Sequence, residues 1–328
     1  MMTKQKVLTI LRKYQNQTYV SGEAISRELG VSRAAVNTAV NSLREMGYTV
    51  DSVTRRGYML TYVPDRITRE ELSAYLPPSR LDHVICLESV DSTNTHLKHM
   101  VVKGCAEGTV VIAEQQTNGR GRLGRSFQSP SRRGIYLSIY LRPRFDPRNA
   151  AALTSWTAVA VRRAIHTACG IDTDIKWVND LILKRKKICG ILTEVMFEGE
   201  SGGMGAVIIG IGINVNQEES EFDEEIRQKA SSLRQLTGRT YNRAALAAQL
   251  ITELDRMSQS AALRCPGYIE EYRAHNITVG NVVTVSTPNG DRVGFAEAVN
   301  DDFSLRVRFS DGTVRDLAYG EAAVKSLY

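Results

Sequence analysis

The chain is expected to be an α+β protein in three parts. These are an N-terminal winged helix-turn-helix (residues 1–63), a central mixed-sheet α/β domain (83–275) and a small C-terminal β-barrel (276–328), with a linker at 64–82. Three observations predict this. Residues 5–46 place apolar side chains at helical spacing, interrupted at Gly30. Residues 83–275 alternate apolar strand-like runs with helical patterns. Residues 276–328 break into short strands at the turns PNGD, NDD and SDGT. A length of 328 residues also exceeds what one hydrophobic core ordinarily serves.

In the first part, Val7, Leu8, Leu11 and Tyr14 share one face of a helix. Ser21 is placed to cap a second helix carrying Ala24, Ile25 and Leu29, and Gly30 to end it. Ser32 then caps a third, with Val36, Ala39, Val40, Leu43 and Met46 inward. Helix, short glycine turn, helix is the spacing of a helix-turn-helix. The outer face of the third helix carries Arg33, Asn37, Thr38 and Asn41, side chains able to bond base edges and phosphates. YTVDSVTRRGYML reads as a hairpin with Arg55 and Arg56 at its tip, a shape suited to a backbone or minor-groove contact. Residues 1–62 hold nine Lys/Arg against four Asp/Glu, most of the chain's net charge of +6. That local excess favours a polyanion partner for this segment. The expected DNA contacts are Ser32, Arg33, Asn37, Thr38, Arg55 and Arg56.

VPDRITREELSAYLPPSR (63–80) contains three of the eight prolines and reads as a linker with one short helix. In the central part, strands are expected at 83–88, 108–114, 134–141, 173–177, 188–196 and 206–213. Helices are expected after Ser92, over about 149–168, within 241–259 and over 266–274. The last part carries five Lys/Arg and seven Asp/Glu, a poor balance for binding nucleic acid.

The composition excludes several classes. No run of 18 apolar residues is present, so no membrane span is expected. The first residues lack the pattern of a signal peptide. Five scattered cysteines with no C-x-x-C pair argue for a reducing, cytoplasmic setting and against a zinc site or disulfide frame.

Four clusters in the central part carry chemistry. GRGRLGRSF (119–127) joins glycines, which admit close backbone approach, to arginines, whose forked donors match phosphate or carboxylate. It follows a strand and lacks the Walker A pattern. DSTN (91–94) offers neutral donors and acceptors at a strand-to-helix turn. KWVNDLILKRKKICGILTE (176–194) brings Lys176, Asn179 and Asp180 near a turn, then Lys187 and Gly190. GIGINV (210–215) puts Asn214 at a strand end beside two glycines.

Together with AEQQTNGRGRLGR (113–125), these motifs resemble the biotin–protein ligases, and the winged helix in front makes the chain similar to the bifunctional ligase/repressors of that family. The resemblance runs along the whole chain in domain order. It implies a class II synthetase-like catalytic domain and an SH3-like C-terminal barrel. It implies that biotin is activated with ATP and Mg²⁺ to biotinyl-5′-AMP and passed to a lysine of a biotin carrier domain. It also implies ligand-promoted homodimerisation on operator DNA. By motif, Ser92, Thr93, Asn94, Gln116, Gly119, Arg120, Gly121, Arg122, Lys187 and Gly190 would hold biotin. Arg122, Arg125, Phe127, Lys176, Asn179 and Asn214 would hold ATP, and Asp180 would contact the metal. Arg122 and Lys187 would be the catalytic cations. Three positions depart from the family pattern: Val178 stands where proline is usual, Leu123 where a further arginine is common, and Phe127 where some members have tryptophan. The competing readings are a lipoate–protein ligase, a non-catalytic biotin-sensing regulator, and a ligase whose winged helix no longer binds DNA.

Overall fold

The computed structural model describes residues 3–142, 150–198, 203–261, 267–287, 290–318 and 322–324. It divides into two compact units, Met1–Asp82 and His83–Tyr328.

In the first unit, helices α1 (Thr3–Lys13), α2 (Gly22–Leu29) and α3 (Arg33–Glu45) precede a hairpin of β1 (Thr49–Val53) and β2 (Gly57–Tyr62). The capping pattern is as expected. Ser21 and Ser32 accept from the backbone N–H groups of Ala24 and Ala35, and Gly30 closes α2 in the left-handed region at φ 64°. Val7, Leu11, Ile25, Val36, Val40, Leu43 and Leu60 form the core. Gly57 has φ 110°, and a Cβ there would collide with the backbone of Val20 and Ser21. The tip of the hairpin therefore requires glycine.

The expected linker is folded onto this unit instead. Helices α4 (Arg69–Leu72) and α5 (Pro78–Leu81) follow β2. Glu71 is 1% exposed and accepts hydrogen bonds from the Arg12 guanidinium and the Tyr48 hydroxyl. A buried carboxylate held by two partners from α1 and the α3–β1 connection fixes the segment in place.

The second unit is built on a seven-stranded sheet ordered β3-β4-β5-β9-β8-β7-β6. In chain order its elements are β3 (Val84–Leu87), α6 (Thr93–Val102), β4 (Val110–Ala113), β5 (Ile135–Leu141), α7 (Ala150–Cys169), β6 (Asp174–Lys176), β7 (Asp180–Leu183), β8 (Lys186–Glu198) and β9 (Gly203–Ile213). Then come α8 (Glu224–Arg227), α9 (Leu233–Thr237), α10 (Arg243–Ala261) and α11 (Gly267–Ala274). Only β3 and β4 run parallel; the other neighbours are antiparallel, so the sheet is mixed. Strand alternation sorts the faces. Ser138, Gly210 and Leu192 are in register across β5, β9 and β8, and α6 lies on their side. Thr193 faces the other way, and its hydroxyl is 2.8 Å from that of Thr154 on α7.

The last residues form a five-stranded antiparallel sheet from β10 (Val282–Thr287), β11 (Gly290–Val299), β12 (Leu305–Phe309), β13 (Val314–Leu317) and β14 (Ala322–Val324), ordered β13-β12-β11-β10-β14. Contacts from Trp177 join this sheet to the larger one across the boundary expected at 275/276. The Trp177 backbone N–H donates to Thr278 Oγ1 at 2.8 Å, and its indole N–H to the Phe303 carbonyl at 2.9 Å. Phe303 also meets Tyr272 and Trp156 edge-on. These bonds cross the expected boundary through a buried aromatic cluster. No helix among the described residues is long and apolar enough to cross a membrane.

Candidate functional site: two joined cavities behind a glycine–arginine loop

Residues 119–127 form a small hairpin of their own. Phe127 N–H donates to the Gly119 carbonyl and Gly121 N–H to the Arg125 carbonyl, with a 3₁₀ turn over Arg122–Gly124 at the tip. Leu123 at that tip is 72% exposed, so the apolar side chain in place of a charge adds nothing to the walls behind it.

Behind the loop lie two adjoining cavities, of about 140 and about 690 Å³. Ser92, Thr93 and Gln116 give the smaller one a neutral polar end. Lys176, Asn214 and Phe222 line only the larger one. Arg122, Arg125, Phe127, Asn179, Asp180 and Lys187 belong to both and mark the junction. A site with one neutral end, a cationic neck and a roomier far side suits two ligands that must meet at an anionic group.

The floor is made by strands without side chains. Gly190 of β8 pairs with Gly212 of β9, and the Phe127 ring lies over them: a Cβ at Gly212 would overlap that ring, and one at Gly190 would come within 3.5 Å of it. Tyr136 stands edge-on to Phe127 at 6.4 Å. Burial pushes the Tyr136 phenol well above its usual range. Cys189, beside Gly190, is fully buried, and burial raises its thiol likewise, so it is an inert packing group rather than a nucleophile.

The neck is already hydrogen-bonded. Arg122 Nη1 donates to Asn179 Oδ1 at 2.7 Å, and Asn179 Nδ2 to the Ile191 carbonyl at 3.0 Å. Lys187 Nζ is 2.6 Å from Asp180 Oδ1. Asp180, the residue expected to contact the metal, thus sits at the junction of the two cavities beside Lys187. No three His, Cys, Asp or Glu side chains converge among the described residues.

At the neutral end, Gln116 Oε1 accepts from the Thr93 backbone N–H at 2.9 Å, and Gln116 Nε2 donates to Ser129 Oγ at 2.9 Å. Thr93 in turn meets Ser138, which meets Asn94, and Asn94 Nδ2 donates to Glu194 Oε2 at 2.7 Å. All six residues expected at ATP line the larger cavity, and nine of the ten expected at biotin line the smaller one. The exception is Gly119, which is buried at the loop stem; a Cβ there would run into the Phe127 carbonyl and Ser129 Oγ. Asn94 reaches the cavity wall, but its amide is committed to Glu194 and Ser138. Sequence reasoning missed Ser129, Ser138 and Glu194. It also missed the wall formed by Phe222, Glu225 and Ile226. The alternation of Gly210 and Gly212 in an apolar strand was a usable signal that one sheet face is bare.

In the first unit, Ser32, Arg33, Asn37 and Thr38 are exposed along the start of α3, and Arg55 and Arg56 are exposed at the hairpin tip. Tyr58 donates to Asn37 Oδ1 at 3.3 Å, tying the hairpin to α3. Arg56 stacks on the Tyr19 ring at 4.6 Å. Ser32 spends its oxygen on the helix cap.

Comparison with known proteins agrees with this arrangement. Residues 86–214 match the biotin/lipoate A/B protein ligase family, and residues 4–59 match a helix-turn-helix domain family. The bifunctional ligase/repressor BirA of Bacillus spizizenii is 34% identical over 312 residues, spanning 94% of this chain and 95% of that protein. The protein of the same name from Escherichia coli is 32% identical over 325 residues, 97% of each chain. Among solved structures, the biotin protein ligase of Aquifex aeolicus in complex with biotin and ATP superposes with TM-score 0.64 at 27% identity, covering 74% of this chain and 98% of that one. The chain belongs to the biotin/lipoate A/B protein ligase family, in the form that carries an N-terminal helix-turn-helix.

Proposed function

We propose that this protein is a bifunctional biotin–protein ligase and biotin-operon repressor. It activates biotin with MgATP to biotinyl-5′-AMP and transfers the biotinyl group to a lysine of the carrier domain of a biotin-dependent carboxylase. The observation that carries the reading is the pair of cavities meeting at Arg122, Asn179, Asp180 and Lys187.

The chemistry follows from that junction. Ser92, Thr93 and Gln116 bind the ureido head in the smaller cavity, which leaves the carboxylate at the cationic neck. ATP occupies the larger cavity, with Lys176, Asn179 and Asn214 on its polar groups and Phe127 and Arg125 beside the base and phosphates. A carboxylate oxygen attacks the α-phosphorus, and the bond to pyrophosphate breaks. Arg122 and Lys187 offset the charge of two anions brought together and of the phosphorus centre between them. Asp180 at the junction would contact a bound Mg²⁺, which would supply charge neutralisation to the phosphates. The acceptor lysine then attacks the acyl carbon, and AMP leaves. No enzyme nucleophile is required. The 119–127 loop keeps water from the mixed anhydride between the two steps.

The five-stranded C-terminal sheet is read as an SH3-like barrel, and the protein as cytoplasmic. The adenylate favours a homodimer, whose two winged helices read the half-sites of operator DNA through Arg33, Asn37 and Thr38, with Arg55 and Arg56 on the backbone.

The test is ATP–pyrophosphate exchange with the purified protein, with biotin and lipoate in parallel. Exchange with biotin alone is the expected result. Exchange with lipoate alone makes the protein a lipoate ligase. Exchange with neither makes it a non-catalytic sensor.

A further inference from the structure

Lys187 and its neighbour Lys186 leave β8 in opposite directions, and the two directions join different parts of the site. Strand alternation alone would put Lys186, not Lys187, on the face of Gly190. The register between β7 and β8 slips between Leu181 and Ile182: Leu181 pairs with Cys189 and Ile182 with Lys187, so Ile188 is the extra residue. A bulge of this kind re-aims the side chains beside it. Lys187 thereby shares the cavity with Gly190, where a Cβ would come 3.1 Å from the Lys187 Nζ. Lys186 is turned the other way, and its Nζ donates to the carbonyls of Arg227 at 3.0 Å and Gln228 at 2.6 Å.

Those carbonyls end α8. Phe222, Glu225, Ile226, Lys229 and Ala230 form a wall of the larger cavity, and none of them lines the smaller one. With four residues, α8 is too short to keep its helical turn in water by its own bonds. Its place is set from outside. The Asp223 N–H donates to Gln128 Oε1 at 3.2 Å and Arg133 Nε to Glu221 Oε1 at 2.9 Å, which holds the approach to the helix. The Lys187 N–H donates to the Lys229 carbonyl at 2.9 Å and the Ser231 N–H to the Lys187 carbonyl at 3.0 Å, which holds the chain beyond it. The turn in between is gripped by the Lys186 ammonium, and a cation is the favourable sign at a helix C-terminus.

The backbone before Lys186 is strained. Lys184 and Arg185, the two residues of the turn between β7 and β8, both have positive φ, at 46° and 67°. Asparagine and glycine are the usual occupants of such a turn. Its tip is fastened on a second side, because Lys184 Nζ donates to the Leu236 carbonyl of α9 at 2.7 Å. Strain that the surroundings hold in place is a mark of a functional segment.

We propose that Lys186 is a positioning residue of the nucleotide half of the site. By binding the last carbonyls of α8 it keeps the wall over Phe222–Ala230 in fixed relation to Lys187, so that wall and cation meet ATP together. The inference rests on ATP as the occupant of the larger cavity. Lys186 itself touches no substrate.

Two features separate this role from a general effect of charge or stability. The smaller cavity contains no part of the wall, so biotin alone should not sense the loss of Lys186. Lys184 carries the same charge at the same hairpin tip, but it holds α9, which lines neither cavity.

The experiment uses the full-length protein. Biotin-dependent ATP–pyrophosphate exchange gives kcat and the KM for ATP, and a titration without nucleotide gives the Kd for biotin. The variants are Lys186→Met, Lys186→Arg, Lys184→Met, Ile226→Ala and the double of Lys186→Met with Ile226→Ala. Lys186→Met should raise the KM for ATP about tenfold, part of the roughly hundredfold that a 1 Å misplacement can cost, with the biotin Kd unchanged within about twofold. Lys186→Arg keeps the cation and its donors and should return the KM to within about threefold of wild type. Lys184→Met should shift neither constant beyond about twofold. Ile226→Ala removes a wall contact, and adding Lys186→Met to it should cost no more than about threefold, because both act through one wall. Should Lys186→Met fail to fold, Lys186→Gln, which keeps one donor, should shift the same constant in the same direction. A KM for ATP unchanged on loss of Lys186 overturns the proposal. So does a biotin Kd that weakens in step with it, an equal effect in Lys184→Met, or the full single-variant effect surviving in the double. A wild type without biotin-dependent exchange overturns the ATP assignment itself and is recognised before any variant is compared.

Discussion

Arg243 is the first residue of α10 and is 0% exposed. Its Nη1 lies 2.6 Å from Glu114 Oε2, itself on a residue 2% exposed, and 3.1 Å from the Gly134 carbonyl. Glu114 immediately follows β4 and Gly134 immediately precedes β5, so one guanidinium ties together both stems of the excursion that carries Gln116 and the 119–127 loop. Arg243→Met keeps much of the volume and removes the charge. Breaking one side of a buried pair costs about 3–5 kcal/mol. Against a total of about 5–15 kcal/mol, that is a large fraction. At roughly 2–4 °C per kcal/mol for a unit of this size, the thermal midpoint should fall by about 10 °C. Calorimetry on the full chain measures it. Adding Glu114→Leu removes the buried carboxylate that lost Arg243 and should restore more than half of the loss. A loss under about 1 kcal/mol in the single variant, or a double variant no better than the single, refutes the reasoning.

Four further outcomes are expected. Arg122→Gly removes the bond to Asn179 and one cation from the neck; the variant should release its adenylate into solution, measured as free biotinyl-5′-AMP, and retention equal to wild type counts against a closing role for the loop. Gly212→Ala drives a methyl group into the Phe127 ring; overpacking of this kind costs about 1–3 kcal/mol, so titration should show biotin and ATP binding weakened about tenfold with the fold retained. Replacing Arg55 and Arg56 together with alanine should lower the salt slope of operator binding by about two, and an unchanged slope removes the hairpin from the interface. Burial raises the Tyr136 and Tyr272 phenols in the folded state. Their contribution is therefore complete below the unfolded value of about 10 and is lost as pH rises beyond it. The thermal midpoint should drop on the alkaline side of about pH 10, and a flat profile there contradicts the assignment.

The local features were legible because local chemistry decides them. Ser21, Gly30 and Ser32 punctuate the helix-turn-helix through bonds to neighbours three or four residues away. The glycine–arginine loop declared both its flexibility and its charge, and its cations reach the neck of the site. What was hidden depends on partners far along the chain. Glu71 reads as a polar residue of a proline-rich linker until Arg12, 59 positions earlier, is seen to bury it. Arg243 reads as an ordinary charge at a helix start until Glu114, 129 positions away, closes on it. Glu194 is 100 residues from Asn94, and no spacing rule joins them. The contacts across 275/276 are of the same long-range kind, since Trp177 bonds to Thr278 and Phe303.

Trp177 has a further use. The chain has only two tryptophans, at 156 and 177, and both belong to the second unit. Trp177 is buried at the wall of the larger cavity, with its indole N–H held by a carbonyl of the C-terminal sheet. Trp156 stands against Tyr268 and Phe303 in the neighbouring aromatic cluster. The indole emission of the protein is thus an optical gauge of that junction alone. It will register events around the nucleotide side and the C-terminal sheet, and the helix-turn-helix, which has no indole, contributes no indole emission of its own.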